Sequence, residues 1–234
     1  MNVILYASEK DVPRWVGYFD LLGTSELIRS GKTKKVFSAY QEALHQLSRW
    51  SKRHVNVYHA WFSDTFLIYS EDDSGVSFSA IEIVCRWFAF ALLRRKIAVR
   101  GALSCGAFYA DRANSLYLGA ALLEACEWGE NQDWIGFILC PSSVNRLANL
   151  NLPVEELPNY VKCAVPFKKP PVQGSASVGA CILGNMIRRS DGSNLLLPKL
   201  AEMVELQADP LIRQKYERTI EFLANHERKP AGDS

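Results

Sequence analysis

Two aspartates differ from the rest in where they stand. Asp20 closes an apolar run in Tyr18-Phe19-Asp20-Leu21-Leu22-Gly23-Thr24, and Asp64 lies within Trp61-Phe62-Ser63-Asp64-Thr65-Phe66. A carboxylate at a strand end supplies the hard oxygen ligands that Mg2+ or Mn2+ prefers. The first sits where a strand breaks at Gly23 into a Thr/Ser/Glu helix start, beside backbone N–H groups able to cradle phosphate. The second falls at the tip of an expected hairpin. Two carboxylates brought within ~4 Å repel by roughly 4 kcal/mol at an effective dielectric of about 20, so a fold that joins them calls for a cation. The plainer alternative is an N-cap aspartate and a turn aspartate that never meet.

The elements that must position them follow from periodicity. Trp15 to Asp20 reads as a buried strand. The region after Gly23 is helical, most clearly from Val36 to Trp50, with Phe37, Tyr40, Leu44 and Leu47 on one stripe. Two strands, Val55 to Phe62 and Thr65 to Tyr69, flank Ser63-Asp64. A long helix from Val76 to Leu93, a strand from Ile97 to Tyr109, a helix from Leu118 to Trp128 and a strand from Trp134 to Cys140 complete the series. The first six of these, in the order β-α-β-β-α-β, predict an α+β fold, a ferredoxin-like sheet with helices on one face. Past Pro141, prolines at 153, 158, 166, 170 and 171 break up long elements, and Gly and Ser dominate 173 to 179. Ile212, Tyr216, Ile220 and Leu223 share a face of a final helix, with a polar tail after Lys229. The expected division is a core at 13–145 and an extension of Pro-rich loops and C-terminal helix at 146–234, packed on that core.

Composition narrows the class. The chain has 234 residues, 48% hydrophobic and 22% charged, and a net charge of +2, which gives no electrostatic reason to expect nucleic acid or an anionic membrane as partner. Six cysteines without a CxxC pair read as reduced core residues of a cytoplasmic protein. The N-terminal apolar patch is too short and too soon charged for a signal peptide. Glu82 and Arg86 interrupt the apolar stretch from Phe78 to Leu93, marking a buried helix and arguing against membrane insertion. The four histidines lack metal-ligand spacing, which argues against zinc.

On that element order, Phe19-Asp20-Leu21-Leu22-Gly23 resembles the first metal motif of the class III nucleotidyl cyclases, Phe-Asp-Ile-x-Gly, and Ser63-Asp64 resembles their Gly-Asp hairpin. Arg100-Gly101-Ala102-Leu103-Ser104-Cys105-Gly106 is similar to the family's Arg-x-Gly-Ile-x-x-Gly strand. Tyr117-Leu118-Gly119, followed by Leu122 and Ala125, is similar to its last signature helix. The match spans roughly residues 13 to 140. It implies two Mg2+ or Mn2+ ions per site held by Asp20, Leu21 and Asp64, with Phe19, Leu21, Leu22, Gly23 and Thr24 lining the substrate. The family's ribose 3′-hydroxyl attacks the α-phosphorus and expels pyrophosphate, so positioning and charge neutralisation suffice and no protein nucleophile is needed.

Departures from the family pattern bear on the base. The purine-reading lysine and aspartate fall on Ala60 and Leu116, and the asparagine and arginine that serve the transition state fall on Leu123 and Glu127. With Arg100-Gly101-Ala102 and the run from Leu118 to Glu127, the pattern is similar to the bacterial Pycsar pyrimidine cyclases of phage defence. That resemblance implies conversion of UTP, or CTP, to a cyclic nucleotide by a homodimer with composite sites, and a separately encoded, often membrane-bound effector. Tyr58 shares its strand side with Ala60 and Phe62 and would face the base, donating to a pyrimidine carbonyl; otherwise it is a half-buried strand tyrosine. Arg100 would reach phosphate or base, or else form an ion pair or a helix-end contact. Arg112 would supply the missing cation, or else is a solvated loop arginine. The competing functions are a non-catalytic cyclase-homology module, which would be free to lose either aspartate, and an adenylate or guanylate cyclase, disfavoured by Ala60 and Leu116.

Overall fold

In β1 (Asp11–Leu21), side chains alternate between two faces: Trp15, Phe19 and Leu21 enter the main core, while Val16, Tyr18 and Asp20 face the other way. A computed structural model describes the protein over residues 11–52, 56–169, 178–183 and 194–226. The N-terminal patch, Val55, Pro170, Pro171, most of the Gly/Ser-rich run and the polar tail lie outside the described residues.

After β1 come α1 (Thr24–Arg29) and α2 (Thr33–Ser51), then the hairpin of β2 (Val57–Phe62) and β3 (Thr65–Ser70). Next are α3 (Gly75–Arg94), β4 (Val99–Asp111), β5 (Leu116–Leu118), α4 (Ala120–Asn131) and β6 (Phe137–Leu139). The remainder is α5 (Pro141–Asn149), a 3-10 turn at Val154–Glu156, β7 (Tyr160–Cys163), β8 (Val178–Cys181), α6 (Leu196–Glu205) and α7 (Pro210–Asn225). The expected β-α-β-β-α-β series is present within a mixed eight-stranded sheet of order β2-β3-β1-β4-β6-β8-β7, with β5 paired to the end of β4. Only β4 and β6 run parallel among the paired strands described.

The helix α3 begins at Ser74, whose hydroxyl accepts from the Ser77 N–H, and buries Phe78, Ile81, Cys85, Phe88 and Leu92 under the Trp15 face. It is long and apolar enough to cross a membrane, yet this apolar side is packed into the core. The charges that interrupt it meet each other: Arg86 pairs with Glu82, and Tyr160 Oη donates to Glu82 Oε1 at 2.9 Å. Gly101 lies so close beneath Phe19 that a Cβ there would come within 2.3 Å of its ring, so β1 and β4 need glycine at this point.

One helix departs from the expected single layer. Whereas α2 and α3 cover the Trp15 face, α4 crosses the opposite one: Ala121 packs with Val16, Leu67 and Phe108, Gly129 sits on the Tyr18 ring, and Ser104 Oγ donates to the Ala121 carbonyl at 2.6 Å. Both faces of β1 and β4 carry apolar residues, and each has to be covered. The extension also differs from a layer laid on a finished core. β8 pairs with β6, β7 pairs with β8, and the 145/146 boundary falls inside α5. Leu196, Leu200, Met203, Tyr216 and Leu223 join the same apolar core as Trp15.

Candidate active site

Strand register fixes the first group of residues. Asp20 lies opposite Thr65 on one side and Arg100 on the other. The Ser63-Asp64 turn is tight enough to put Ser63 at φ 54°, a left-handed conformation that glycine adopts more readily. The Asp64 carbonyl accepts the Leu21 N–H at 3.0 Å, which draws the hairpin tip onto the end of β1 and brings the two aspartates together. Thr24 Oγ1 then donates to Asp64 Oδ2 at 2.8 Å. Arg100 grips Asp20 Oδ2 through Nε at 2.9 Å and Nη2 at 2.7 Å, while its Nη1 donates to the Glu130 carbonyl at 2.7 Å. The ion-pair reading of Arg100 is the one this geometry displays, with the pair mostly buried.

Electrostatically the pair is unbalanced. Burial pushes the Asp20 carboxyl above its usual range, Arg100 opposes this, and the charges of Asp64 and Glu130 add to the rise. A buried carboxylate that stays raised beside a bidentate guanidinium is short of positive charge. Among the described residues, the side-chain bonds to Asp20 and Asp64 reach only Oδ2 of each, leaving both Oδ1 atoms to take a further cation. The donor set therefore fits a hard divalent ion. No group of three or more His, Cys, Asp or Glu side chains gathers among the described residues, so the groups that could hold an ion at this point are the two carboxylates and main-chain oxygens.

The expected phosphate cradle is narrower than its sequence suggests. Gly23, at φ 78°, is the N-cap of α1, and Thr24 is buried behind it. The N–H groups of Leu21 and Leu22 are already taken, by the carbonyls of Asp64 and Ala98, so Gly23 and Thr24 remain for phosphate. Phe19 is fully buried, stacked on Phe137 at 5.3 Å and edge-on to Phe88 at 5.1 Å, and is corrected from substrate contact to core residue. The Leu21 and Leu22 side chains pack on the same core, so Leu21 can serve a metal only through its main chain.

Tyr58, Ala60 and Arg112 form a second group. Tyr58 lies opposite Tyr69, which lies opposite Val16, four residues along β1 from Asp20 or ~13 Å at a strand's rise per residue. Its hydroxyl donates to Glu71 Oε2 at 2.6 Å, and the Arg112 guanidinium stacks 4.2 Å from the centre of its ring. Arg112 follows the far end of β4, whereas Arg100 is near its start. Tyr69, Phe108 and Tyr117 extend the aromatic patch, and Ala60 packs beside it. A cavity of about 260 Å3 opens here, lined by Ser48, Lys52, Val57, Tyr58, His59 and Arg112. One chain thus assembles Asp20, Asp64, Thr24 and Arg100 but keeps Tyr58, Ala60 and Arg112 apart from them on the same sheet face. Glu130 was not foreseen: it accepts the Tyr18 hydroxyl at 2.9 Å and acts on Asp20 because Gly129 seats α4 against Tyr18.

No family model matches the chain, and no curated protein does. Among solved structures, the catalytic core of a rhodopsin-guanylyl cyclase with converted specificity, in complex with ATPalphaS, aligns at 13% identity and TM-score 0.54 over 73% of this chain and 96% of its own. A Trypanosoma brucei adenylate cyclase in its monomeric state aligns at 12% identity and TM-score 0.52 over 79% and 93%. The guanylate cyclase domain from Catenaria anguillulae in complex with GTP aligns at 13% and 0.50 over 73% and 96%. At such identities the likeness speaks for the fold. The chain carries the α+β fold of the adenylyl and guanylyl cyclase catalytic domains.

Proposed function

We propose that the protein is a divalent-metal-dependent nucleotide cyclase acting on a pyrimidine triphosphate, UTP ahead of CTP. The observation that carries this is the meeting of Asp20 and Asp64 at the end of β1, each with one carboxylate oxygen unclaimed by a side chain among the described residues, on the fold of cyclase catalytic domains. Mg2+ or Mn2+ bound there would neutralise the triphosphate and lower the pKa of the attacking hydroxyl. The protein's own residues do the rest by positioning. Thr24 orients Asp64, the Gly23 and Thr24 amides meet phosphate, and Arg100, released from Asp20, turns its donors to the developing charge.

The separation of Tyr58 and Arg112 from the aspartates supports a homodimer in which each protomer completes the other's site. Highly exposed apolar residues include Phe62 at 84% at the end of β2 and Leu123 at 72% on α4, and Leu116 and Leu118 of β5 are exposed too. Base choice rests on Ala60 and Leu116, which offer nothing to a purine edge, and on Tyr58, whose hydroxyl is a suitable partner for a uracil carbonyl. On this reading the product is a second messenger for a separately encoded effector in phage defence, made in the cytoplasm. Incubation of the pure protein with each of the four ribonucleoside triphosphates and Mn2+, followed by mass detection of cyclic products, tests it. Faster conversion of ATP or GTP than of either pyrimidine triphosphate would refute the base assignment.

A second reading draws on the Arg100–Asp20 pair: a guanidinium standing where a cation would bind suits a cyclase-fold module that binds nucleotide without turning it over. Absence of any cyclic product beside measurable triphosphate binding would favour it.

A further inference from the structure

The C-terminal helices have an outer side that the aspartate site leaves unused. Residues 206–209 alone join α6 to α7, and the inner sides of both helices enter the core through Leu196, Leu200, Met203, Tyr216 and Leu223. Between their outer sides runs a groove of about 260 Å3, lined by Ala201, Val204, Glu205, Glu217, Ile220 and Glu221. Val204 and Ile220 are half-buried and make its floor apolar, while all three glutamates are exposed along its rim.

These negative charges are unrelieved. Glu217 and Glu221 stand one helical turn apart on α7, a spacing at which like charges repel, and Glu205 shares the groove with them from α6. The cations of the same two helices are spent elsewhere. Lys199 pairs with Glu202, Lys215 and Arg218 pair with Asp133, and Arg213 donates to the Gln207 carbonyl at 3.4 Å. Other surface acids do have cationic partners, Glu42 in Arg95, Asp73 in Arg146 and Glu155 in Lys162. Among the described residues none pairs with Glu205, Glu217 or Glu221.

Sign and shape together select an occupant. Carboxylates on the rim repel an anionic membrane or a nucleic acid, and two copies meeting here about a two-fold axis would set one row of carboxylates against another. Nor do these groups converge as metal ligands do, since no cluster of three or more His, Cys, Asp or Glu able to hold an ion occurs among the described residues. An apolar furrow between two helices seats a third one, whose apolar stripe enters the furrow and whose flanking lysines or arginines reach the glutamates. We propose that the α6–α7 groove docks a basic amphipathic helix of a partner protein. This goes beyond the cyclase reading and does not rest on it.

The probe is a synthetic leucine–lysine amphipathic helix of about five turns, labelled for fluorescence anisotropy and compared with its glutamate-for-lysine counterpart. With the full chain, the lysine helix is expected to bind, less tightly as salt rises, and the glutamate helix to stay free. Glu217→Lys combined with Glu221→Lys reverses two exposed charges and should weaken binding about tenfold or more. Ala201→Trp fills the furrow from an exposed position without changing charge, and should weaken binding by a similar factor. Glu155→Lys combined with Glu156→Lys makes the same change of charge on two exposed acids of the 3-10 turn and should bind as wild type does. Failure of the lysine helix to bind, equal affinity for both peptides, wild-type affinity in either groove variant, or an equal loss in the control would overturn the proposal. A change in the protein's own oligomeric state in Ala201→Trp, with no peptide present, would overturn it in favour of a second copy of this chain.

Discussion

Replacing Arg100 by methionine separates what the arginine does for the fold from what a metal does. The pair it forms with Asp20 is mostly buried, with side-chain exposures of 10% and 15%. Removing one member of a fully buried pair costs about 3–5 kcal/mol, and the edge position lets some water reach the freed carboxylate, so about 2–3 kcal/mol is expected here. For a chain of this size each kcal/mol moves Tm by about 2–4 °C, which gives a drop of about 5–10 °C in EDTA. In wild type a divalent ion joins a carboxylate whose Oδ2 is already paired with the guanidinium; in Arg100→Met it meets an unpaired carboxylate. An ion at 100 times its Kd stabilises by about 2.7 kcal/mol, enough to restore most of the loss. Thermal melts of both proteins in EDTA and in saturating Mn2+ provide the assay. The reasoning fails if Arg100→Met melts with wild type in EDTA, or if Mn2+ raises its Tm by no more than it raises that of wild type.

Asp20→Ala and Asp64→Ala are each expected to abolish cyclisation while the protein stays folded; either variant keeping more than about a tenth of wild-type turnover in saturating Mn2+ would refute the two-carboxylate site. Sedimentation at micromolar concentration should report a dimer, and the double variant Phe62→Asp, Leu123→Asp should be a folded monomer without activity, since both side chains are exposed in the free chain. Tyr58→Ala should lower UTP turnover or relax the preference for it, read from cyclic product yields; unchanged selectivity would remove Tyr58 from base recognition. Metal binding should also weaken on acidification earlier than an ordinary carboxylate dictates. The raised Asp20 pKa means the proton is held to higher pH and competes with the ion as pH falls through it, a trend that Mn2+ titrations at stepped pH would show and that Asp20→Asn would flatten.

The strands and long helices were legible because their periods are strong: the helix expected at Val76–Leu93 is α3, and the Ser63-Asp64 hairpin lies between β2 and β3. Shorter elements were not. Leu116–Leu118 is a strand, where the last signature helix was expected to start at Leu118, because three residues carry too little pattern to show a period. β7 and β8 lie among prolines and glycines whose local signals set no strand bounds, and the pairing of β8 with β6 and of β7 with β8 fixes them. At the site, carboxylates could be read from their setting, but bonds between distant segments could not. Nothing in Leu21-Leu22 announces that Asp64 and Ala98 claim their amides.

The late arrival of β8 has a consequence for how the chain comes to be made. β6 is Phe137-Ile138-Leu139, buried throughout, with β4 on one side and β8 on the other. During synthesis the segment carrying both aspartates, the hairpin and Arg100 emerges well before residues 178–181. Until they arrive, β6 stands as an apolar outer strand with an open row of backbone donors and acceptors, the arrangement most prone to pair with another chain. A nascent or proteolysed chain stopped near residue 145 would hold every proposed metal ligand and still be an aggregation template, so solubility is conferred by a part of the sequence that holds none of those ligands.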